Sequence, residues 1–447
     1  MKGILIKYNP WWHTKKGPGE LAGIKRNRYL NQILPFIDSP EILKITGVRR
    51  AGKTTIMFQV IDFLLKKGVD PKNICYIQMD DEEFSFYDKK TLIKEVIEEY
   101  SEISSRNIER DKIYFLFDEI QYIENWPGWL KTYYDRFKNI KFVVSGSSSM
   151  LIDRASVEKL SGRQIDFMVH TLSFGEFLEF KNIKNTKIKI KIQKNLSDLS
   201  ISDIEKNIEL LAAKNDLKIS LNRYLEVGGF PNVIFRNKTE RELILKQYFR
   251  DIVYRDIVRV FKIRDVESLE NLGVYMFKHI GKKFSFTSLS KVMGVSTDTI
   301  IEYFNMFLKT FLYHAVTYYS TALKSTIRKS KKLYCSDIGL RNAIISEKDE
   351  GEIVENVVLN HLKLNYDKIY YWDNKYECDF IVKTYDGLTP IEVKYQKNPE
   401  KINGIIEFME KFKIKRGIVV TKDTLKKEKF NDREILFIPL WIFLLLF

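Results

Sequence analysis

Residues 41–68 read EILKITGVRRAGKTTIMFQVIDFLLKKG. The apolar run at the start predicts a buried strand, and Ile56, Val60, Phe63 and Leu64 then recur at helical spacing, so strand, turn and amphipathic helix follow one another. The turn holds Gly47-Val-Arg-Arg-Ala-Gly52-Lys53-Thr54, a full match to G-x-x-x-x-G-K-[ST] in the strand-to-helix setting that the pattern requires. Two glycines let the backbone wrap closely round a phosphate chain, whose charge is met by converging N–H groups and a helix N-terminus. Lys53 is expected to reach the β- and γ-phosphates and the Thr54 hydroxyl to ligate Mg²⁺, with Arg50 and Thr55 completing the nucleotide contacts. A glycine-rich turn can also simply cap a helix, but the complete pattern in this setting favours ATP and Mg²⁺ as cofactors.

Working outward, residues 112–126 (KIYFLFDEIQYIENW) supply an independent check. The apolar run Ile113–Phe117 enters Asp118-Glu119 directly, and packing alone does not explain a buried strand that ends in two carboxylates. Asp118 is expected in the Mg²⁺ shell, directly or through water, and Glu119 is expected to act as general base on the attacking water. A third strand, residues 140–149 (IKFVVSGSSS), ends in hydroxyl residues, and strand C-termini line the ligand crevice of an open parallel sheet. Ser145 or Ser147 can therefore face the γ-phosphate, although serines are also ordinary turn residues. Downstream, Gly162-Arg163 precedes the next strand, and a cation there can stabilise the transferring phosphoryl group in cis or from a neighbouring subunit.

The chain of 447 residues, 45% hydrophobic and 13% aromatic, has material for several cores and is not a disordered chain. Three scattered cysteines form no C-x-x-C pair, which removes a disulfide framework and a thiolate zinc site from consideration. The five histidines show no metal-ligand spacing, and a Ser/His triad has no support. No apolar run reaches a membrane span or signal-peptide length, so a cytoplasmic protein without membrane contact is expected. The tail Ile435–Phe447, interrupted by Pro439, reads as a buried strand and a short helix.

A formal charge of +15 suggests an anionic partner, and its position is informative. Residues 1–180 carry 27 basic and 25 acidic side chains and residues 351–447 carry 16 and 15, whereas residues 181–350 carry 31 and 19. DNA is therefore expected to bind through residues 181–350. Residues 181–195 (KNIKNTKIKIKIQKN) read as an edge strand or a lysine-rich insertion. Residues 283–319 predict a helix around Ser288–Met293, a turn at Gly294, a second helix capped by Ser296 and then a strand. That order suits a winged helix whose wing carries Lys324, Arg328, Lys329, Lys331 and Lys332. The second helix carries Asp298 and Glu302, so a structural lid or oligomer contact competes with a DNA reader.

From Gly351 a helix, a strand pair, a turn at Asp386-Gly387 and a further strand are expected. Asp379 and Glu392-Val-Lys394 fit D…(D/E)-x-K, and period-two geometry puts Glu392 and Lys394 on one face beside Asp379. Two carboxylates can hold Mg²⁺ while Lys394 orients a water. Exposed strand faces also pair Glu with Lys for solubility, so binding without cutting stands beside cleavage.

GVRRAGKTT, FLFDEIQYIENW, VVSGSSS, LSGR with LSFGEFLEF, and the C-terminal EN, ECDFIV and IEVK segments together resemble prokaryotic AAA+ P-loop ATPases joined to a restriction-endonuclease-like domain of unknown function. The resemblance spans about residues 35–395. It implies an arginine-finger role for Arg163, a polar-sensor position near Ser147 where Asn or Thr is more usual, and Glu355 as a fourth member of the nuclease site. The expected fold class is α/β: an AAA+ parallel sheet, a helical and winged-helix middle, and an α/β endonuclease-like end. The expected domains are an N-terminal extension (1–30), the ATP-binding domain (31–180), a helical region with a lysine-rich insertion (181–270), a winged-helix-like domain (271–345) and the endonuclease-like domain (346–447). Three functions follow: an Mg²⁺-dependent ATPase that changes shape on DNA, an ATP-regulated metal-dependent endonuclease, or a nucleotide-switched DNA- or protein-binding module with slow turnover.

Overall fold

A computed structural model describes residues 1–147, 158–181, 196, 199–206, 212–347, 349–397, 399 and 401–446, with backbone alone at 203, 323, 327 and 328. The lysine-rich run expected over 181–195 lies outside the described residues beyond Lys181. The chain is mixed α/β and divides into two units, one of Met1–His170 with Lys309–Phe311, the other of Thr171–Leu308 with Leu312–Phe447.

The first unit is built on five parallel strands, β1 (Ile42–Thr46), β2 (Ile74–Gln78), β3 (Ile113–Asp118), β4 (Ile140–Gly146) and β5 (Gln164–Met168), in the order β2-β3-β4-β1-β5. Every residue of β1, β3 and β4 is buried, as their near-continuous apolar runs require for a sheet covered on both faces. Lys44, buried in β1, is neutralised by Asp166 on β5 at 2.8 Å. At the edge strand β2, the side-chain amide of Asn9 replaces a neighbouring strand: Asn9 Oδ1 accepts from Tyr76 N at 2.7 Å and Asn9 Nδ2 donates to Tyr76 O at 2.9 Å. The indoles of Trp11 and Trp12 both donate to Ile74 O, so residues 9–12 close that edge.

The second unit joins helices to a sheet of nine strands. Three, β6 (Lys283–Phe284), β7 (Tyr313–Tyr318) and β8 (Lys331–Cys335), surround the helix pair Phe286–Met293 and Thr297–Lys309. Gly294 takes the left-handed conformation between these helices, and Ser296 Oγ accepts from Thr299 N at 3.1 Å. The remaining strands are β9 (Ile369–Asp373), β10 (Glu377–Thr384), β11 (Gly387–Lys394), β12 (Arg416–Thr421), β13 (Lys426–Phe430) and β14 (Arg433–Pro439). Their order is β13-β14-β12-β11-β10-β9-β7-β8-β6, so β7 beside β9 makes the sheet continuous. The core includes Trp372, Ile381, Phe408, Val419 and Phe437. Helix Asn403–Lys411 comes so close that a Cβ on Gly404 would stand 1.8 Å from the Glu377 carbonyl, which fixes the start of β10.

Candidate functional site

The loop after β1 has the shape of a phosphate cradle. Gly47 sits at φ 143°, and a Cβ there would meet Val169 O at 2.1 Å; Gly52 sits at φ 100° and opens the helix Lys53–Lys66. Arg50, at φ 71°, is a non-glycine residue in the left-handed region, a local strain of the kind that tight functional loops carry. Lys53 is buried, and its ammonium donates to the Gly47 and Val48 carbonyls at 3.1 and 3.2 Å. Thr55 is half-buried one position beyond Thr54. The loop is braced from behind: the buried Arg26 donates to Ala51 O at 2.7 Å and to His170 O at 3.1 Å.

Asp118 ends β3 opposite this loop. Its Oδ2 accepts from Thr54 Oγ1 at 2.6 Å and from Tyr76 OH at 3.0 Å, while Oδ1 accepts from Ser145 Oγ and from Glu119 N at 3.1 Å. Burial and the Glu119 charge push the Asp118 carboxyl up, and the three hydroxyls oppose them. For Glu119, burial acts upward, but Lys53, Arg49 and the Gln121 amide outweigh it and hold the carboxyl below its ordinary value. Gln121 Nε2 lies 2.5 Å from Glu119 Oε2, and Glu119 itself adopts φ 51°. Ser145 rather than Ser147 touches Asp118, and Ser147 receives Gln121 Nε2 at 3.4 Å.

These residues fit a magnesium nucleotide. A buried lysine, a hydroxyl and a carboxylate face a loop whose glycine leaves no room for a Cβ, and the two hydrogen bonds that hold Lys53 to carbonyls can be exchanged for phosphate oxygens. Thr54 and Asp118 would hold Mg²⁺, which when bound neutralises phosphate charge and fixes the phosphoryl geometry. The local pattern revealed Lys53, Thr54, Asp118 and Glu119. It did not reveal Tyr76, Arg26 and Arg49, which reach the site through strand pairing and chain return.

Arg163 lies elsewhere. It precedes β5, whose Gln164 pairs with Ile42 at the start of β1, whereas the phosphate loop follows Thr46 at the other end. Five residues of strand, about 16 Å, separate the two levels. Arg163 Nε donates to Asp135 at 2.8 Å on the exposed surface.

The second unit brings Glu355, Asp379, Glu392 and Lys394 together with three further residues, Lys332, Tyr334 and Glu377. Glu392 Oε1 meets Lys394 Nζ at 2.7 Å, and Asp379 Oδ2 accepts from Val393 N at 2.8 Å. Glu355 Oε1 accepts from Tyr334 OH at 2.6 Å and from Lys332 Nζ at 2.7 Å; Lys332 also lies 2.7 Å from Glu377 Oε1 and 3.8 Å from Asp379 Oδ1. Burial and then the Asp379 charge push Glu355 up to about 7 and Glu392 up to about 8. Lys332 thus departs from its expected place in an exposed basic wing: β8 turns alternate side chains to opposite faces, and the Lys332 side chain is 2% exposed. Of the other wing residues, Lys324 and Lys329 are exposed and Lys331 half-exposed, while the Arg328 side chain lies outside the described residues. The wing is also not a plain hairpin, since helix Leu323–Arg328 interrupts it.

Residues 39–178 match the family model of an AAA domain, and residues 218–351 and 350–443 match two models described as domains of unknown function, DUF8612 and DUF4143. With the five-stranded parallel sheet, the first match gives the first unit a resemblance to the AAA+ P-loop fold and supports a nucleotide-dependent ATPase in general; the fold is mixed α/β with a sheet-rich C-terminal region. An uncharacterized protein of Haemophilus influenzae is 27% identical over 432 residues, 94% of this chain and 99% of that protein. An uncharacterized protein of Methanocaldococcus jannaschii is 27% identical over 458 residues, 99% of this chain and 91% of that one. Among solved structures, the Aeropyrum pernix ORC1 protein in complex with DNA is 12% identical at a TM-score of 0.31, over 75% of this chain and 96% of that one. At that score the likeness carries no argument about this chain. Among the described residues, no helix is long and apolar enough to cross a membrane.

Proposed function

We propose that the chain hydrolyses ATP in a Mg²⁺-dependent manner and couples turnover to a change of shape on DNA. The observation that carries the ATPase reading is the junction of the two motifs, Thr54 Oγ1 donating to Asp118 Oδ2 at 2.6 Å, with Glu119 beside it and held ionised by the Lys53 and Arg49 charges. Glu119 has the ionisation of a general base, Lys53 the charge for the β- and γ-phosphates, and Gln121 positions the Glu119 carboxylate. Arg163, a strand's length from its own phosphate loop, serves a neighbouring copy's site as a trans arginine finger. The DNA contact falls to the helix pair 286–309 and to the exposed Lys324 and Lys329, with the half-exposed Lys331 beside them.

Glu119→Gln tests the chemistry: nucleotide binding persists while turnover falls about 10²- to 10⁴-fold. Undiminished turnover would sink the assignment. For DNA, Lys329→Ala is expected to lower the salt slope of duplex binding by about 1, whereas binding with an unchanged slope removes that residue from the interface.

A further inference from the structure

The phosphate-loop site holds its lysine, Lys53, against neutral carbonyls. The carboxylate cluster of the second unit is different, because a lysine stands in its middle. Lys332 Nζ lies 2.7 Å from Glu355 Oε1, 2.7 Å from Glu377 Oε1 and 3.8 Å from Asp379 Oδ1, with its side chain 2% exposed. The three carboxylates gathered round this ammonium are oxygen donors of the kind that hard divalent cations bind, yet among the described residues no three acidic, His or Cys side chains are placed to hold a metal ion. We propose that Lys332 is the resident cation of this cluster and excludes a divalent metal from it, so that the cluster operates as a metal-independent ion network.

Four observations support this. The backbone of Lys332 is fixed: β8 pairs with β6 at Lys283 and with β7 at Val316, and Asn356 grips Cys335 with its Oδ1 accepting from Cys335 N at 2.8 Å and its Nδ2 donating to Cys335 O at 2.7 Å. Neighbouring cations complete the neutralisation, with Lys283 at 3.0 Å from the other Glu377 oxygen and 2.9 Å from Asp373, and Lys394 on Glu392. Further donors also engage the set, Val393 N on Asp379 Oδ2 and Tyr334 OH on the same Glu355 oxygen that Lys332 holds. Finally, Glu392 Oε2 is buried and has no hydrogen-bond partner among the described residues. A buried carboxyl oxygen without a donor is one that a metal would recruit if the ammonium withdrew. An ammonium demands about 2.8 Å from its acceptors and a magnesium ion about 2.1 Å, and two cations repel; the two cannot share this set. The metal-dependent cleavage expected at Glu355, Asp379, Glu392 and Lys394 therefore meets a fixed positive charge at the point where its metal would bind.

The test is Mn²⁺ binding by the nucleotide-free full chain, read by electron paramagnetic resonance of free Mn²⁺, for the parent, Lys332→Gln and Lys332→Met, each with and without Asp379→Asn. In the parent, Asp379→Asn is expected to change nothing, because ions at Thr54 and Asp118 contribute equally to both proteins. Lys332→Gln is expected to bind one additional Mn²⁺ per chain, lost again in the double variant. Mn²⁺ bound by the parent in an Asp379-dependent manner overturns the proposal. So does a Lys332→Gln or Lys332→Met protein with parental circular dichroism and no added Mn²⁺. The parent comparison requires no substitution at Lys332, so it decides the question even where both Lys332 variants fail to fold.

Discussion

Two buried lysines, one in each unit, face opposite kinds of partner. Lys53 donates to two carbonyls of its own loop at 3.1 and 3.2 Å, while Lys332 is held by two carboxylates at 2.7 Å and has a third at 3.8 Å. Carbonyl acceptors are neutral, so a phosphate chain can outbid them for Lys53. A carboxyl group hydrogen-bonded to a buried ammonium stays paired with it, because removing the partner leaves an uncompensated charge in a low-dielectric interior. The same side chain is therefore a ligand-binding group in one place and a structural counter-ion in the other, and the partners decide which.

Alanine at each lysine breaks the comparison most directly. Lys53→Ala is expected to abolish ATP turnover while shifting folding stability by about 1 kcal/mol, the net worth of such hydrogen bonds. Lys332→Ala is expected to lower stability by about 3 to 5 kcal/mol in urea denaturation and to leave the phosphate loop's own residues intact. Equal stability losses for the two variants would erase the distinction. A smaller effect concerns pH. Burial and the Asp379 charge push the Glu392 carboxyl up to about 8, above its ordinary 4.5, so the folded chain holds a proton that the unfolded chain has released. Its contribution is full below about 4.5 and is lost as pH rises through about 8. Glu392→Gln, which keeps the protonated shape, is expected to flatten the fall of the melting temperature between about pH 5 and 8; an unchanged slope would assign that fall to other groups.

The legibility of the two sites differs for a related reason. The phosphate loop is written within a few residues, Gly47 to Thr54, and its partner Asp118 ends an apolar run, so local pattern sufficed for both. Tyr76 remained hidden because it reaches Asp118 only through the register that sets β2 beside β3, with Gln78 opposite Asp118. Arg26 remained hidden because its role depends on the chain before β1 folding back behind the loop. In the second unit Asp379, Glu392 and Lys394 were legible from strand alternation, but Lys332 looked like one cation among several. Adjacent strand residues face opposite ways, so Lys331 and Lys332 could not share a surface; which of them pointed inward depended on carboxylates 23 to 47 residues further along the chain.

Asn9 has a consequence for misassembly. By occupying both the N–H and the carbonyl of Tyr76, its amide leaves that point of the outer strand with no template for a second chain. Copies of this protein at high concentration during synthesis therefore meet at a blunted rim rather than a sticky one. Seven of the eight residues before Asn9 form a short helix, Lys2–Tyr8, so the guard of this strand is set by a segment more than sixty residues ahead of it in the chain.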